Sequence, residues 1–463
     1  MTSRFDPRSP KRLLDASDEL VSRDEAQRII ESVIKLSKAD GIQVNLGGGR
    51  QRNVRFAANQ MSTAGMVTDL SLVVTSSFGP KHAVTTTNDL SPEGIERAVR
   101  QSEAIAKLAP DDPEAMPLLP QQNVANVAAA WDEATMNLDA SSCATAALSA
   151  LGPARAKGTL QAAGFLQVDA NVNALGNKTG LFLYHRGTKS NYTLTVRTTD
   201  GTGSGWAGAE EPQFASIDFA KISARAIEKA ELSRNPVAIE PGRYTVILEP
   251  QAVGDLVTLV AFYADARSAD EGRSPFAKPG GGNKIGEKIA DERVSLYSDP
   301  YDPKILSDPF DAEGFPLSRR EWIAGGVLRQ MQYGRFWAKK QGKQPTGGAN
   351  NIVMAGGTTT REQMIASTQR GILVSRLWYL REVDPRTLLY TGLTRDGTFL
   401  IENGKVTRPI KNMRFNESPL FMLNNLEALG PQERVAGVEA LIPCVMPVLK
   451  ARDFNFTSLS DAV

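Results

Sequence analysis

The sequence predicts an α+β protein with an N-terminal part built of helix–strands–helix units and a β-rich C-terminal part. Three observations support this prediction. Capped helices with one buried face alternate with period-two strands, the order of elements recurs after a proline-rich connector, and tight-turn dipeptides follow late in the chain. The chain has 463 residues, 41% hydrophobic and 23% charged, which is enough for two or three domains with large cores.

The first predicted unit follows a polar arm over residues 1–20, which we expect to be flexible. Ser22 and Glu25 form a capping box, and the apolar residues after them recur at the spacing of one helix face. Strand-like runs then lie at residues 42–46, 54–56 and 70–74, and a second helix is capped by Ser91.

The connector over residues 109–127 contains four prolines and precedes a similar series of elements. An Ala-rich helix is predicted at about 139–156, strands at 160–175, 179–186 and 190–199, and another helix at about 217–234. The recurrence is one of element order and is consistent with a duplicated unit. Prolines and a glycine at 235–242 then mark a boundary, which predicts an N-terminal domain over 21–236 and a C-terminal domain over 237–463.

The second half opens with a strand that turns at Pro250 and continues as an apolar helix. Asp396-Gly397 and Asn403-Gly404 are turn dipeptides between apolar runs and predict a meander of hairpins over 391–410. A short helix is predicted at 419–429, and prolines place the tail over 441–456 at a sheet edge. The predicted packing stripe of the apolar helix comprises Val253, Leu256, Val257, Val260 and Ala264.

Charge and cysteine content restrict the partners of this protein. A formal net charge of +1 supplies no general attraction to nucleic acid or to an anionic membrane. No apolar stretch reaches the roughly 20 residues of a membrane helix, and no signal-peptide pattern is visible. Two cysteines cannot form a disulfide framework, which indicates a reducing compartment. We expect a cytoplasmic protein with no nucleic-acid and no membrane partner.

Candidate catalytic residues are few. The only histidines, His82 and His185, have no second His or Cys at metal-ligand spacing, and we interpret them as a loop residue and a satisfied strand-end residue. Cys444 is interpreted as an inert buried thiol because apolar residues flank it, and Ser204 as a turn serine because it lacks the spacing of a nucleophile elbow. The carboxylates among which no acid/base pair can be chosen are Asp265, Asp270, Glu271, Asp291, Glu292, Asp308, Asp311 and Glu313.

Three glycine-rich stretches have the composition of phosphate loops. They are Gly47–Gly49, Gly280–Gly282 and the run over 200–206. None matches the P-loop pattern or the dinucleotide fingerprint between a strand and a helix. We therefore interpret them as loop glycines.

The second half resembles the TldD/PmbA family in three blocks, SPFAKPGGGNKIGEKIADERVSLYSDP, DPFDAEGFPLSRREWIAGGVLRQMQYGRFWA and RGILVSRLWYLREVDPRTLLYTGLTRDGTFLIENGKV. Residues 56–87 and the helix after Ser91 are also similar to the first domain of that family. The resemblance implies a two-domain α+β protein of the bacterial or archaeal cytosol. It further implies a protease of two homologous subunits that trims or degrades unfolded and modified peptides.

The resemblance also implies where a metal site would lie. The TldD-type subunit carries a His-Glu-x-x-x-His helix and a later Cys as metal ligands, whereas the PmbA-type subunit, also called TldE, lacks them. When the strand, the turn and Gly254 are aligned, the three motif positions fall at Thr258, Leu259 and Tyr263. Zinc requires His, Cys or carboxylate ligands, and the single thiol of Cys444 does not replace them. We expect a PmbA-type subunit without catalytic residues, metal ligands or a cofactor of its own.

The leading hypothesis is a non-catalytic subunit that supports a zinc-bearing TldD-type partner and helps to bind peptide. The sequence assigns no substrate-binding residues. Two alternatives remain open. One is a hydrolase with a non-metal site that uses Cys444 or a carboxylate pair, and the other is a stand-alone peptide-binding scaffold that forms a homodimer.

Overall fold

The computed structural model describes residues 20–437, 439–440 and 442–460. The arm predicted over residues 1–20 lies outside the described residues, except for Leu20. Within the described ranges, none of the helices has the length and apolar character needed to cross a membrane.

The helices are α1 (Arg23–Leu36), α2 (Pro92–Leu108), α3 (Glu133–Met136), α4 (Ala140–Ala156), α5 (Phe219–Leu232), α6 (Pro250–Phe262), α7 (Ala266–Asp270), α8 (Arg335–Lys340), α9 (Arg361–Ala366) and α10 (Pro419–Asn424). The strands of the first sheet are β1 (Gly41–Ala57), β2 (Gln60–Phe78), β3 (Lys81–Thr87), β4 (Leu160–Asn177), β5 (Phe182–Thr198) and β6 (Ser204–Glu211). Those of the second sheet are β7 (Gly242–Leu248), β8 (Leu296–Ser298), β9 (Arg320–Ala324), β10 (Val327–Leu328), β11 (Ile352–Met354), β12 (Arg370–Asp384), β13 (Leu389–Glu402), β14 (Lys405–Pro409), β15 (Met413–Glu417), β16 (Leu426–Arg434) and β17 (Cys444–Leu459).

The first sheet is antiparallel, with the order β3-β2-β1-β4-β5-β6. Its two halves repeat one series, α1-β1-β2-β3-α2 and α4-β4-β5-β6-α5, and β1 pairs with β4 at the centre. The helices of each half pack with its strands around a separate apolar cluster. The predicted helix–strands–helix units are thus confirmed.

The second sheet has eleven strands, in the order β10-β9-β8-β11-β17-β15-β13-β12-β7, with β14 beside β13 and β16 beside β17. Strand β7, the last in this order, also pairs with β17, which lies in the middle of the order. The largest apolar cluster of the described chain lies here and surrounds α6. The predicted β-rich C-terminal region is confirmed.

Several runs predicted as separate strands are continuous. The runs at 42–46 and 54–56 belong to β1, and those at 179–186 and 190–199 merge in β5. The residues between the runs of β1 are polar or glycine, but their backbones still pair with both β2 and β4. Hydrogen bonding on both edges maintains a strand where the apolar alternation stops.

The predicted meander is correct at one turn and wrong at the other. Asn403 and Gly404 have positive φ angles and form the turn between β13 and β14, as expected. Asp396 and Gly397 lie inside β13, where they form a bulge opposite the single residue Ser375. Positive φ angles of 53° and 125° suit a bulge as well as a turn, so the dipeptide alone could not distinguish them.

The C-terminal tail is central, so its predicted edge position is wrong. Strand β17 pairs with β11 and β7 along one side and with β16 and β15 along the other. Pro447 lies after the last pair with β11, at Val445, and before the first pair with β7, at Leu449. A residue without an N–H is tolerated at such a junction between neighbours. The predicted helix over 419–429 is also shorter, because it ends at Asn424 and β16 follows.

Candidate functional site: helix α6 and its surroundings

Helix α6 lies in the core of the second sheet. Strand β7 runs between β12 and β17 and leads into the helix through Glu249 at the N-cap and Pro250 in the first turn. Every residue from Pro250 to Ala261 is buried, whereas Phe262 is 64% exposed. The predicted single packing stripe is therefore too narrow. The helix is buried on every face, and most of its side chains are apolar, as expected for a helix inside a core.

The three positions aligned with the metal motif hold side chains that serve packing. The Thr258 hydroxyl donates to the Gly254 carbonyl, 2.9 Å away, in the preceding turn. Leu259 is buried in the apolar cluster, and the hydroxyls of Tyr263 and Tyr390 lie 3.1 Å apart. None of these side chains is an imidazole, a thiolate or a carboxylate, so the residues present do not fit a zinc ion.

Cys444 of β17 lies next to Gly254 of α6, one helical turn before Thr258. A Cβ atom on Gly254 would stand 3.1 Å from its Sγ, so the glycine allows strand and helix to approach. Burial raises the pKa of the Cys444 thiol well above its ordinary value, which removes the thiolate needed for nucleophilic attack. No three His, Cys, Asp or Glu side chains in the described ranges cluster as metal ligands.

Asp255 is a buried carboxyl group on α6 that the sequence reasoning did not identify. Its Oδ1 accepts a hydrogen bond from Gln251 Nε2 at 2.9 Å, and its Oδ2 accepts one from the Leu377 N–H at 3.0 Å. Burial raises its pKa from 3.8 to about 7. The contact with Leu377 ties α6 to the part of β12 that extends beyond β7.

Glu249 at the N-cap of α6 is the centre of a second buried group that the sequence reasoning missed. Its carboxylate lies 2.5 Å from Lys229 Nζ, 3.1 Å from Arg361 and 3.9 Å from Arg225. Burial opposes ionisation, but the charges of Lys229 and Arg225 outweigh it and lower the pKa of Glu249. The cluster joins α5 of the first sheet to α6 and α9 of the second. The three cations are 20, 24 and 112 residues from Glu249 in sequence, so no local pattern indicates the cluster.

A crevice of about 520 Å³ opens next to this cluster. Lys221 and Arg225 line it from α5, Arg361 from α9 and Glu433 from β16. Arg225 also pairs with Glu433 at 3.0 Å. The ion pairs within the crevice offset its charges, so it is a polar junction between the two sheets rather than a site selective for one sign of charge.

His185 lies within β5 and not at a strand end, which corrects its predicted position. It is buried in a polar cleft of about 390 Å³, with Nε2 3.3 Å from Asp308 Oδ1. Asn173 donates to the other oxygen of Asp308 at 2.9 Å. Burial lowers the pKa of His185, and the Asp308 carboxylate opposes that shift. A neutral imidazole held by a carboxylate is the satisfied histidine that the sequence suggested.

The remaining candidates are structural. His82 lies in β3, which corrects the predicted loop, and its Nδ1 is 3.6 Å from Asp112. Ser204 begins β6 rather than a turn, and its hydroxyl donates at 2.5 Å to Asp396 in the bulge of β13, which links the two sheets.

Of the glycine-rich stretches, one lies inside a strand and another forms a loop. Gly47–Gly49 lie inside β1, which corrects the predicted loop. A Cβ on Gly49 would come within 2.1 Å of the Ala170 carbonyl, so these glycines permit close strand pairing. Gly280–Gly282 do form a loop.

Most of the carboxylates singled out from the sequence act as caps or ion-pair partners. Asp265 caps α7, and Asp270 accepts hydrogen bonds from Trp337 and Asn283. The arginine partners are Arg267 and Arg273 for Glu271, Arg293 for Asp291, and Arg335 for Glu313, while Asp311 accepts turn N–H groups. The Asp291 hydrogen bond and, to a smaller extent, the charge of Glu292 raise the pKa of Arg293.

Two family models match this chain. Residues 241–458 match the PmbA/TldA metallopeptidase C-terminal domain, and residues 132–234 match the PmbA/TldA metallopeptidase central domain. Metalloprotease PmbA of Escherichia coli O157:H7 is 24% identical over 423 residues, which cover 86% of each chain. A metalloprotease of Methanothermobacter thermautotrophicus is 24% identical over 236 residues, so the match spans 47% of this chain and about half, 49%, of that relative.

The fold is similar to that of a solved structure. TldE from Thermococcus kodakarensis superposes with a TM-score of 0.82 at 20% identity, over 93% of this chain and 99% of that one. At this identity the likeness concerns the fold, and the sequence matches carry the family assignment. The chain belongs to the PmbA/TldD family of metallopeptidase-like proteins.

Proposed function

We propose that this chain is the non-catalytic subunit of a TldD/PmbA-type metalloprotease complex that processes or degrades unfolded or modified peptides. The zinc ion and the hydrolytic chemistry would reside on a TldD-type partner. One observation carries the proposal: in a chain of this family, the helix aligned with the metal motif is α6, whose motif positions hold Thr258, Leu259 and Tyr263.

The packing of α6 supports the proposal, because burial of the helix prevents substrate from reaching Thr258 and Leu259. Thr258 and Leu259 are buried, and Leu259 packs within the apolar cluster that surrounds the helix. A catalytic zinc site requires three protein ligands and an open coordination position. Asp255 and Cys444 adjoin this part of the helix, but no three His, Cys, Asp or Glu side chains of the described residues are grouped closely enough to hold a metal ion.

The non-catalytic subunit would stabilise its partner, close a shared chamber and help to hold peptide. An extended peptide can be bound through its main chain, which tolerates many sequences. We place the complex in the cytosol, in keeping with the low cysteine content and with the lack of a membrane-crossing helix in the described ranges.

The test compares three preparations: this chain alone, the TldD-type partner alone, and the two co-expressed. Each is assayed for peptide hydrolysis before and after chelation and after zinc is added back, and its bound metal is measured. We expect zinc-dependent hydrolysis by the pair and neither stoichiometric zinc nor hydrolysis in this chain alone. If the chelated chain alone cleaves peptide as fast as the pair, the proposal is wrong.

The burial of Cys444 and the raised pKa of its thiol favour the proposal over a hydrolase that uses this thiol. A Cys444→Ala variant with unchanged activity would remove that alternative experimentally. The scaffold homodimer is distinguished by size measurement with and without the TldD-type partner, since a scaffold would stay a homodimer when the partner is present.

A further inference from the structure

Strand β2 has a long edge that is not paired within the described part of the chain. The strand pairs with β1 along its whole length, whereas β3 covers only residues 72–78 on the opposite edge. Residues 60–71 therefore present backbone N–H and C=O groups along about 40 Å of strand.

The open edge has few of the features that usually prevent strand pairing, and its one bulge lies at Ser62, close to the start of the strand. Its sequence, QMSTAGMVTDLS, contains one charged residue, Asp69, and no proline or lysine. Met66 and Val67 are each 57% exposed, and as neighbours in a strand they point to opposite faces. Edge strands are normally protected by charge, proline, a bulge or a covering segment, because an open edge pairs with other chains.

The second half of the same sheet shows how the fold covers the equivalent edge. Strand β5 corresponds to β2, and β6 pairs only with its residues 190–197. Beside its first part, the Asp132 N–H donates to Thr188 Oγ1 at 3.0 Å, and Arg186 lies over the Trp131 ring at 4.3 Å. The connector before α3 thus packs against this edge, while no described segment does so for β2.

We propose that the edge of β2 over residues 60–71 pairs with the corresponding strand of the TldD-type partner subunit. This inference rests on the proposed function, which supplies a partner of the same fold. Two such edges can pair antiparallel about a two-fold axis, which joins the two sheets and leaves neither edge open.

A lasting partner fits this edge better than a peptide substrate does. A substrate leaves after each turnover, so the edge would be open for much of the life of the protein and prone to non-specific pairing. A subunit remains bound and also buries Met66 and Val67, whose exposed apolar surface favours association.

The experiment places a charge on the edge without disturbing the core. Met66→Lys and Val67→Lys change exposed side chains, and Val84→Lys on β3 is the matched control because Val84 is 55% exposed but lies away from residues 60–71. Sedimentation of each variant with the purified partner measures the dissociation constant. We expect the two edge variants to bind at least tenfold more weakly than the wild type and the control to bind within twofold of it.

Hydrogen exchange of the wild-type chain gives a second measurement that needs no variant. Alternate amides of residues 60–71 donate to β1 and are protected in both states, whereas those that point to the open edge should exchange quickly in the chain alone and at least tenfold more slowly in the complex. Slow exchange of the outward-pointing amides already in the chain alone would mean that another part of this chain covers the edge, and the inference would be wrong.

The outcomes separate the two proposals. If the wild-type complex forms and the lysine variants match it, the edge assignment is wrong but the proposed function stands. If no wild-type complex forms, the proposed function fails, and so does the partner assigned to this edge. If the lysine variants dissociate a homodimer of this chain but still bind the partner as the wild type does, the edge pairs with a second copy of this chain, which also overturns the inference.

Discussion

Replacing Asp255 by asparagine should make this protein more stable at alkaline pH. The substitution keeps the shape of the side chain. Its amide oxygen can accept the Leu377 N–H, and Gln251 can turn its own amide to accept from the new NH₂ group. What the change removes is the cost of ionising a carboxyl group inside the core.

The size of the effect follows from the pKa of Asp255, which burial raises from 3.8 to about 7. The folded state keeps a proton that the unfolded state releases, so the free energy of unfolding falls as pH rises from about 4 to about 7. The contribution is fully present below the unfolded pKa and is lost as pH rises through the folded pKa. Between pH 5 and pH 8 the wild type should lose about 2–3 kcal/mol that the Asp255→Asn variant keeps.

Urea unfolding of both proteins at pH 5 and pH 8 tests this prediction. Glu417, whose pKa burial also raises to about 7, is present in both proteins and cancels in the comparison. The control is Asp111→Asn, an exposed substitution that should leave the pH dependence unchanged. If the stability difference between Asp255→Asn and wild type is the same at both pH values, the carboxyl group does not hold its proton on folding, and the reasoning is wrong.

Three further predictions concern the surroundings of α6. Glu249→Gln should lower the free energy of unfolding by about 3–5 kcal/mol, because it leaves the buried Lys229 ammonium without its counter-charge, whereas the exposed change Glu362→Gln should have little effect in the same denaturation assay. Gly254→Ala should destabilise by about 1–3 kcal/mol, since its Cβ would stand 3.1 Å from Cys444 Sγ and 3.1 Å from both Cγ atoms of Val435. In a double-mutant cycle, Gly254→Ala should cost less in the Cys444→Ala background, and strictly additive effects would contradict the contact with Cys444. The Cys444 thiol should react with a thiol reagent only after unfolding, and rapid labelling of this residue in the native protein would show that the site is accessible.

Much of the fold could be predicted because its signals are local. The capping box of Ser22 and Glu25 forms as expected, and Ser91 caps α2. The turn at Asn403-Gly404 also lies where its dipeptide places it. Each of these features depends on residues within one turn of each other, so the sequence contains the whole interaction.

Other features required the tertiary structure because their causes lie far apart in sequence. The dipeptide Asp396-Gly397 forms a bulge because β12 continues opposite it, and Pro447 sits in a central strand because two neighbours meet there. A positive φ angle is compatible with a turn or a bulge, and a missing N–H with an edge or a junction between strands. The neighbouring strands determine which of these structures forms.

The sequence by itself determined that α6 contains no histidine and no cysteine, because ligand chemistry depends only on which side chains are present. Only the tertiary structure showed that the helix is buried on all sides and that two buried carboxyl groups accompany it. Asp255 keeps a raised pKa within the core, and Glu249 is ionised among three cations. These properties depend on burial and on charges contributed by distant elements, and no stretch of sequence records either.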